Sequence, residues 1–176
     1  MYSSFSKAGL AVTFSPTGKM LLSEAARLQA LFGFKLYLLH VGEKDEVTRQ
    51  RLEHLVEENI FPKEVEIVWL EGEPAKAIVK KSKELELDLL IIGALEKEKG
   101  LKNIMGSVAR NIMRNCQCPV LIFTKPESER FGFNNIVVSV CYDGKGEEAA
   151  RVAIEIARHD HPADFTFIKE INVPGL

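Results

Sequence analysis

Gly93 and the pair Gly106-Ser107 are the residues of this chain best suited to meet an anion. Gly93 closes a short apolar run that begins at Asp88, and Gly106-Ser107 opens a segment with helical spacing. Glycine lets a ligand approach the backbone closely, and the first turn of a helix presents N–H groups without partners. The Ser107 hydroxyl adds a donor. The chemistry this suggests is phosphate binding. The same residues also serve packing alone, with Gly106 at a close contact and Ser107 as a helix N-cap. Gly144-Lys145-Gly146 is not a phosphate loop, because the pattern Gly-x4-Gly-Lys-Ser/Thr is absent.

The other reactive side chains point to structure rather than chemistry. Cys116-Gln117-Cys118 could hold a metal, but zinc takes about four ligands and no second Cys/His pair lies near in sequence. Two small thiols at the start of a buried strand account for the pair, so it is expected unbridged and without metal. With Cys141 the count is odd, which fits reduced thiols in the cytoplasm better than a disulfide framework. His40 ends an apolar strand and reads as a structural histidine. His54 lies on a charged helix, and His159 and His161 lie where a helix ends. No Ser/His/Asp or Cys/His set stands at a catalytic spacing, and no catalytic residue is expected.

The elements that must position these residues are legible as apolar runs separated by helical segments. Leu10 to Phe14 reads as a strand and Ser15 to Gly18 as a turn; Met20 to Phe32 reads as a helix ended by Gly33. Leu36 to Val41 is the second strand. Asp45 to Asn59 is a charged helix with a stripe of Val47, Leu52, Leu55 and Val56. Val65 to Leu70 is the third strand, and Pro74 opens a helix that turns Ala75, Ile78, Val79 and Leu85 to the sheet. Asp88 to Gly93 is the fourth strand. A helix with Val108, Ile112 and Met113 follows, and Pro119 to Phe123 is the fifth strand. Continuous apolar strands between helices are strands covered on both faces, so the fold class is α/β with a doubly wound parallel sheet. Ligands of such sheets bind beyond the carboxyl ends of the strands.

Of 176 residues, 46% are hydrophobic and 27% charged, which allows a sizeable core; the formal net charge of −2 gives no reason to expect nucleic acid or an acidic membrane as a partner. No apolar run is long enough to span a bilayer, and the N-terminus does not read as a secretory signal. Lys125 to Phe133 reads as a linker. Ile136 to Cys141, Glu147 to His159 and Phe165 to Ile168 then repeat the opening order of strand, small-residue turn, Ala-rich helix and strand. Two further strands added to one sheet would give the same pattern.

LYLLHV (36–41), GEPAKAIVKKSKELELDLLIIGA (72–94) and GSVARNIMRNCQCPVLIF (106–123) together resemble the universal stress protein domain over about residues 8–126. The tail VVSVCYDGKGEEAARVAIEIA resembles the first strand and helix of the same domain. The resemblance implies a five-stranded parallel sheet in the order 3-2-1-4-5, Rossmann-like and shared with the adenine-nucleotide α-hydrolases. It also implies a tandem protein, with one domain at 8–126 and a partial second copy at 134–176 cut off after its second strand.

Nucleotide-binding members carry Gly-x2-Gly-x9-Gly-Ser/Thr after the fourth strand. Gly93, Gly106 and Ser107 match it, but Glu96 stands at the middle glycine. The acidic residue these members place after the first strand is Thr13 in the first copy and Asp143 in the tail. The resemblance therefore points to Thr13, Val41, Gly93, Gly106, Ser107 and Val108 as a degenerate nucleotide site, with weak or no ATP binding. Carboxylates at Glu96 and Glu98 oppose a triphosphate, and Lys97, Lys99 and Lys102 offset them. The function expected is a stress-response or signalling module without catalysis that works through dimerisation and protein partners. A nucleotide-binding protein with slow or no hydrolysis, using ATP with magnesium, is the alternative, and an adenylating enzyme on a related fold ranks last. The dimer is expected to form through the edge strand Pro119–Phe123.

Overall fold

The computed structural model of the chain describes residues 5–59, 61–94, 106–129, 131–140 and 144–169. The chain divides into two compact units, Met1–Arg130 and Phe131–Leu176. Among the described residues, no helix is long and apolar enough to cross a membrane.

The first unit alternates strand and helix: β1 (Lys7–Ala11), α1 (Pro16–Phe32), β2 (Lys35–Val41), α2 (Glu46–Glu58), β3 (Val65–Leu70), α3 (Pro74–Glu84), β4 (Leu89–Gly93), α4 (Ser107–Asn115) and β5 (Val120–Phe123). The five strands form one sheet in the order β3-β2-β1-β4-β5, and every neighbouring pair is parallel. Leu10 of β1 lies beside Leu38 of β2 and Ile91 of β4. Leu10, Leu36, Leu38, Leu39, Leu90 and Ile91 are fully buried. Consecutive buried residues point to opposite faces of a strand, so helices cover both sides of the sheet. That is why these strands read as unbroken apolar runs rather than alternating ones.

Helix ends follow from local chemistry. Asp45 accepts from the Thr48 N–H and caps α2, while Glu73 accepts from Ala75 and Lys76 and caps α3. Gly33 ends α1 in the left-handed region at φ 72°, where glycine carries no Cβ penalty.

Three expectations need correction. The first strand is Lys7–Ala11, not Leu10 to Phe14: Val12 still donates to the Leu39 carbonyl, but the chain then leaves the sheet. Ser15 to Gly18 is no separate turn. Ser15 is the N-cap of α1, its hydroxyl accepting from the Gly18 N–H, and Pro16 opens the helix. Val47 is 76% exposed, because it lies five residues from the buried Leu52 and so about 140° round the helix from it. Leu55 and Val56, at the third and fourth positions past Leu52, are half-buried on its side.

Asp88 joins the N-terminal ends of β1 and β4. Its Oδ2 accepts from the Ser6 N–H at 2.8 Å and the Lys7 N–H at 2.9 Å, and its own N–H donates to the Lys7 carbonyl. Replacing it by alanine leaves two backbone donors without this acceptor. Asp88→Ala is expected to lower unfolding free energy by about 1–2 kcal/mol. Urea unfolding checks this as a lower midpoint at unchanged m-value.

The second unit contains β6 (Asn135–Val140), α5 (Gly144–Asp160) and β7 (Asp164–Lys169). β6 and β7 form a separate two-stranded parallel sheet with Val138 beside Phe167. Cys141 lies outside the described residues.

Candidate functional site

A cavity of about 510 Å³ opens at the carboxyl end of the first unit's sheet. It sits where the strand order reverses between β1 and β4, the place at which a doubly wound sheet parts its connections. The ends of three strands form its floor: Ala11 and Val12 at β1, Leu39 to Val41 at β2, and Ile92 and Gly93 at β4. The first turns of α1 and α4 form two walls, and Ile78 of α3 and Phe123 of β5 close the depth.

Thr13, Val41, Gly93, Gly106, Ser107 and Val108 all line this one cavity. Sequence separation hides that convergence, since β1, β2, β4 and α4 run from Lys7 to Asn115 and meet only through the sheet order. Gly93 is not required by packing: a Cβ built there meets only Leu21 Cδ2, at 3.4 Å, an ordinary contact. Its bare backbone leaves room on the cavity side. Gly106, not Ser107, is the N-cap of α4; no side-chain hydrogen bond caps this helix, and its first turn contains no acidic residue. Glu96 to Lys99 and Lys102 lie outside the described residues, as does Asp143.

The sequence reading missed a hydroxyl cluster. Thr13 Oγ1 and Ser15 Oγ lie 3.0 Å apart, and Ser15 Oγ and Thr17 Oγ1 are again 3.0 Å apart. All three residues line the cavity. Their signal was present in the Thr-x-Ser-x-Thr spacing, but Ser15 to Gly18 also satisfies a turn. Gly18 holds the cluster closed, since a Cβ there would stand 2.1 Å from the Thr13 carbonyl oxygen.

His40 also lines the cavity. Its Nδ1 lies 3.4 Å from the Val12 carbonyl oxygen, and its ring is held edge-on to Trp69 and tilted against Phe14. Arg51 covers the Phe14 ring at 4.4 Å, a cation–π contact that fixes the aromatic rim. Among the described lining residues there is no lysine, arginine or carboxylate. The site therefore offers apolar walls, a line of hydroxyls and one uncapped helix start. That combination suits a flat ring carrying a sugar and limited anionic charge.

The chain matches the model of the Universal stress protein family over residues 42–124. It is 30% identical to universal stress protein YxiE of Bacillus subtilis (strain 168) over 146 residues, covering 67% of this chain and 98% of YxiE. It is 43% identical to universal stress protein MJ0531 of Methanocaldococcus jannaschii over 61 residues, a match that spans 34% of this chain and only 35% of MJ0531. Among solved structures, a universal stress protein in complex with cAMP aligns with a TM-score of 0.58 at 22% identity, over 69% of this chain and 98% of that one. A functionally unknown protein, PA1789 from Pseudomonas aeruginosa PAO1, aligns with a TM-score of 0.73 at 16% identity, over 94% of this chain and 60% of that one. At these identities the structural likeness concerns the fold.

Proposed function

Because this chain belongs to the universal stress protein family, we propose that it is a stress-response module that binds an adenine nucleoside monophosphate in the cavity of its first unit. It acts through self-association and protein partners, without catalysis. One observation carries the nucleotide reading: six residues from four separate segments converge on one cavity with apolar walls. The base takes the apolar walls, the Thr13–Ser15–Thr17 hydroxyls face the ribose, and the α4 N-terminus takes the phosphate. A similar fold holds cAMP. A monophosphate is placed ahead of ATP with magnesium because the glycine pattern that would cradle a triphosphate carries Glu96 at its middle position. The His40 ring is committed to the Val12 carbonyl, Trp69 and Phe14, which argues against a general-base role.

Thermal unfolding with AMP, cAMP, and ATP with magnesium tests the reading. A ligand at a hundred times its dissociation constant stabilises by about 2.7 kcal/mol. AMP or cAMP is expected to raise the unfolding temperature at lower concentration than ATP with magnesium, and no shift with any of them overturns the proposal. Gly93→Ala is the sharpest variant. Its new methyl meets only Leu21, so the fold is expected to keep its stability, while affinity falls about tenfold or more as the backbone loses its approach to phosphate. Ser107→Ala is expected to weaken binding less, through one lost donor worth about 1 kcal/mol.

The second unit, in this reading, is a partial second copy at 134–176 of the domain at 8–126. Its β6–α5–β7 order matches β1–α1–β2, and the likeness to PA1789 runs over nearly the whole chain. The odd number of cysteines supports a cytoplasmic setting.

A further inference from the structure

Cys116 and Cys118 are the first unit's described cysteines, and the nucleotide reading uses neither. Cys116 is the C-cap of α4, with extended backbone at φ −69° and ψ 140°. The chain then bends at Gln117 and Cys118 before β5 begins, and the bend turns the two side chains toward each other. The two sulfurs accordingly stand 3.4 Å apart, and the Ser82 hydroxyl of α3 lies 3.6 Å from Cys116 Sγ. A disulfide needs about 2.05 Å between sulfurs, so only about 1.4 Å of further approach separates the dithiol from a bond. Both residues are partly exposed, so a small oxidant reaches them without unfolding.

We propose that Cys116 and Cys118 form a modification site at which a hydroperoxide oxidises the dithiol to a reversible intrachain disulfide. Cys116 is the attacking sulfur. The hydrogen bond from the Cys118 thiol lowers its pKa against the opposing effect of burial, and so favours the thiolate on Cys116. The thiolate attacks one oxygen of the peroxide; an S–O bond forms, the O–O bond breaks, and the leaving alkoxide or hydroxide takes up a proton. Cys116 is then a sulfenic acid. Cys118 next attacks the Cys116 sulfur, the S–S bond forms, and the hydroxyl departs with the Cys118 proton as water. Two thiols and one hydroperoxide thus yield one disulfide, one alcohol or water, and one water, with two electrons passing from sulfur to peroxide. The second step is favoured by the first. The Cys118 pKa is raised chiefly by its hydrogen bond to Cys116, then by burial and by the charge of the Cys116 thiolate. Converting Cys116 to a neutral sulfenic acid removes that thiolate charge and ends the hydrogen bond to it.

Peptide mapping of the full chain decides the matter. Trypsin is expected to release residues 115–130 as one peptide, because cleavage after Lys125 is blocked by Pro126; that peptide holds both thiols and excludes Cys141. After brief treatment of the reduced chain with equimolar hydrogen peroxide, this peptide is expected to lose two hydrogens and to regain them with dithiothreitol. Cys118→Ser is expected to stop at a dimedone-reactive sulfenic acid on Cys116. Cys116→Ser is expected to slow peroxide consumption by about tenfold or more. Oxygen added to both sulfurs without loss of hydrogen, a bridge to Cys141 or to another chain, or undiminished consumption by Cys116→Ser overturns the proposal. If either variant misfolds, the mass of the unaltered peptide decides alone.

Discussion

Gly18→Ala is expected to cost the first unit about 2 kcal/mol of stability and to abolish ligand binding together. The new Cβ would stand 2.1 Å from the Thr13 carbonyl oxygen, an atom of the backbone that no rotamer can move aside. Relief requires either the end of β1 or the first turn of α1 to shift. A 2.1 Å approach to a backbone atom puts the overpacking cost at the upper end of its range, about 3 kcal/mol, and the better helix propensity of alanine returns about 1 kcal/mol. Any such shift breaks the contact of Ser15 Oγ with the Gly18 N–H and pulls apart the hydroxyls of Thr13, Ser15 and Thr17. The comparison with Gly93→Ala separates folding from binding: the first variant is expected to lose both, the second only binding. Thermal unfolding of each, with and without AMP, makes the comparison. A Gly18→Ala chain as stable as the unaltered one would show that the close approach of α1 to Thr13 is not needed.

Leu121→Lys is expected to turn a dimer into a monomer. β5 ends the sheet and pairs with β4 on one side. Val120, Leu121 and Ile122 are apolar yet only half-buried, in a strand without charge. An apolar edge of this kind invites another strand, and a second copy related by a two-fold axis presents the same edge in return. A lysine brought into that contact places an unpaired charge where water is excluded, weakening association by about 3 kcal/mol, or roughly a hundredfold. In the monomer the same lysine reaches solvent along its stem, so stability is expected to change little. Light scattering over a concentration series measures the association, and urea unfolding measures the stability. A monomeric unaltered chain at high concentration defeats this interface.

The linker was only partly legible. Lys125 to Phe133 reads as a spacer because it mixes charge with proline, yet Pro126 is buried and lines the cavity, and the Glu127 N–H donates to Glu24 on α1. Proline and a backbone donor carry no periodicity, so a pattern search passes over them. The strands were plain for the opposite reason: burial on both faces leaves Leu36 to Leu39 and Leu89 to Ile92 unbroken by polar residues. Helix α2 was bounded correctly by Asp45 and Asn59, since caps act locally. Its stripe was misjudged at Val47 because five residues is not a helical repeat. The strand order came from resemblance. Local patterns make strands but do not say that β1 sits between β2 and β4, and without that order the hydroxyls of Thr13 to Thr17 and the glycine at 93 have no reason to meet.

The central place of β1 also sets the order of events at birth. Leu10 can pair with Leu38 soon after both are made, but its other neighbour, Ile91, lies about eighty residues along the chain. Closing the longer loop costs under about 1 kcal/mol more than the shorter one, so the delay is a matter of time rather than equilibrium. At about 5–20 residues per second, β4 is completed roughly 3–10 s after β2. Through that interval the central strand of the finished sheet has one bare edge. The nascent chain is then a three-stranded sheet with its middle-to-be on the outside, and the arrival of β4 is the step that commits it.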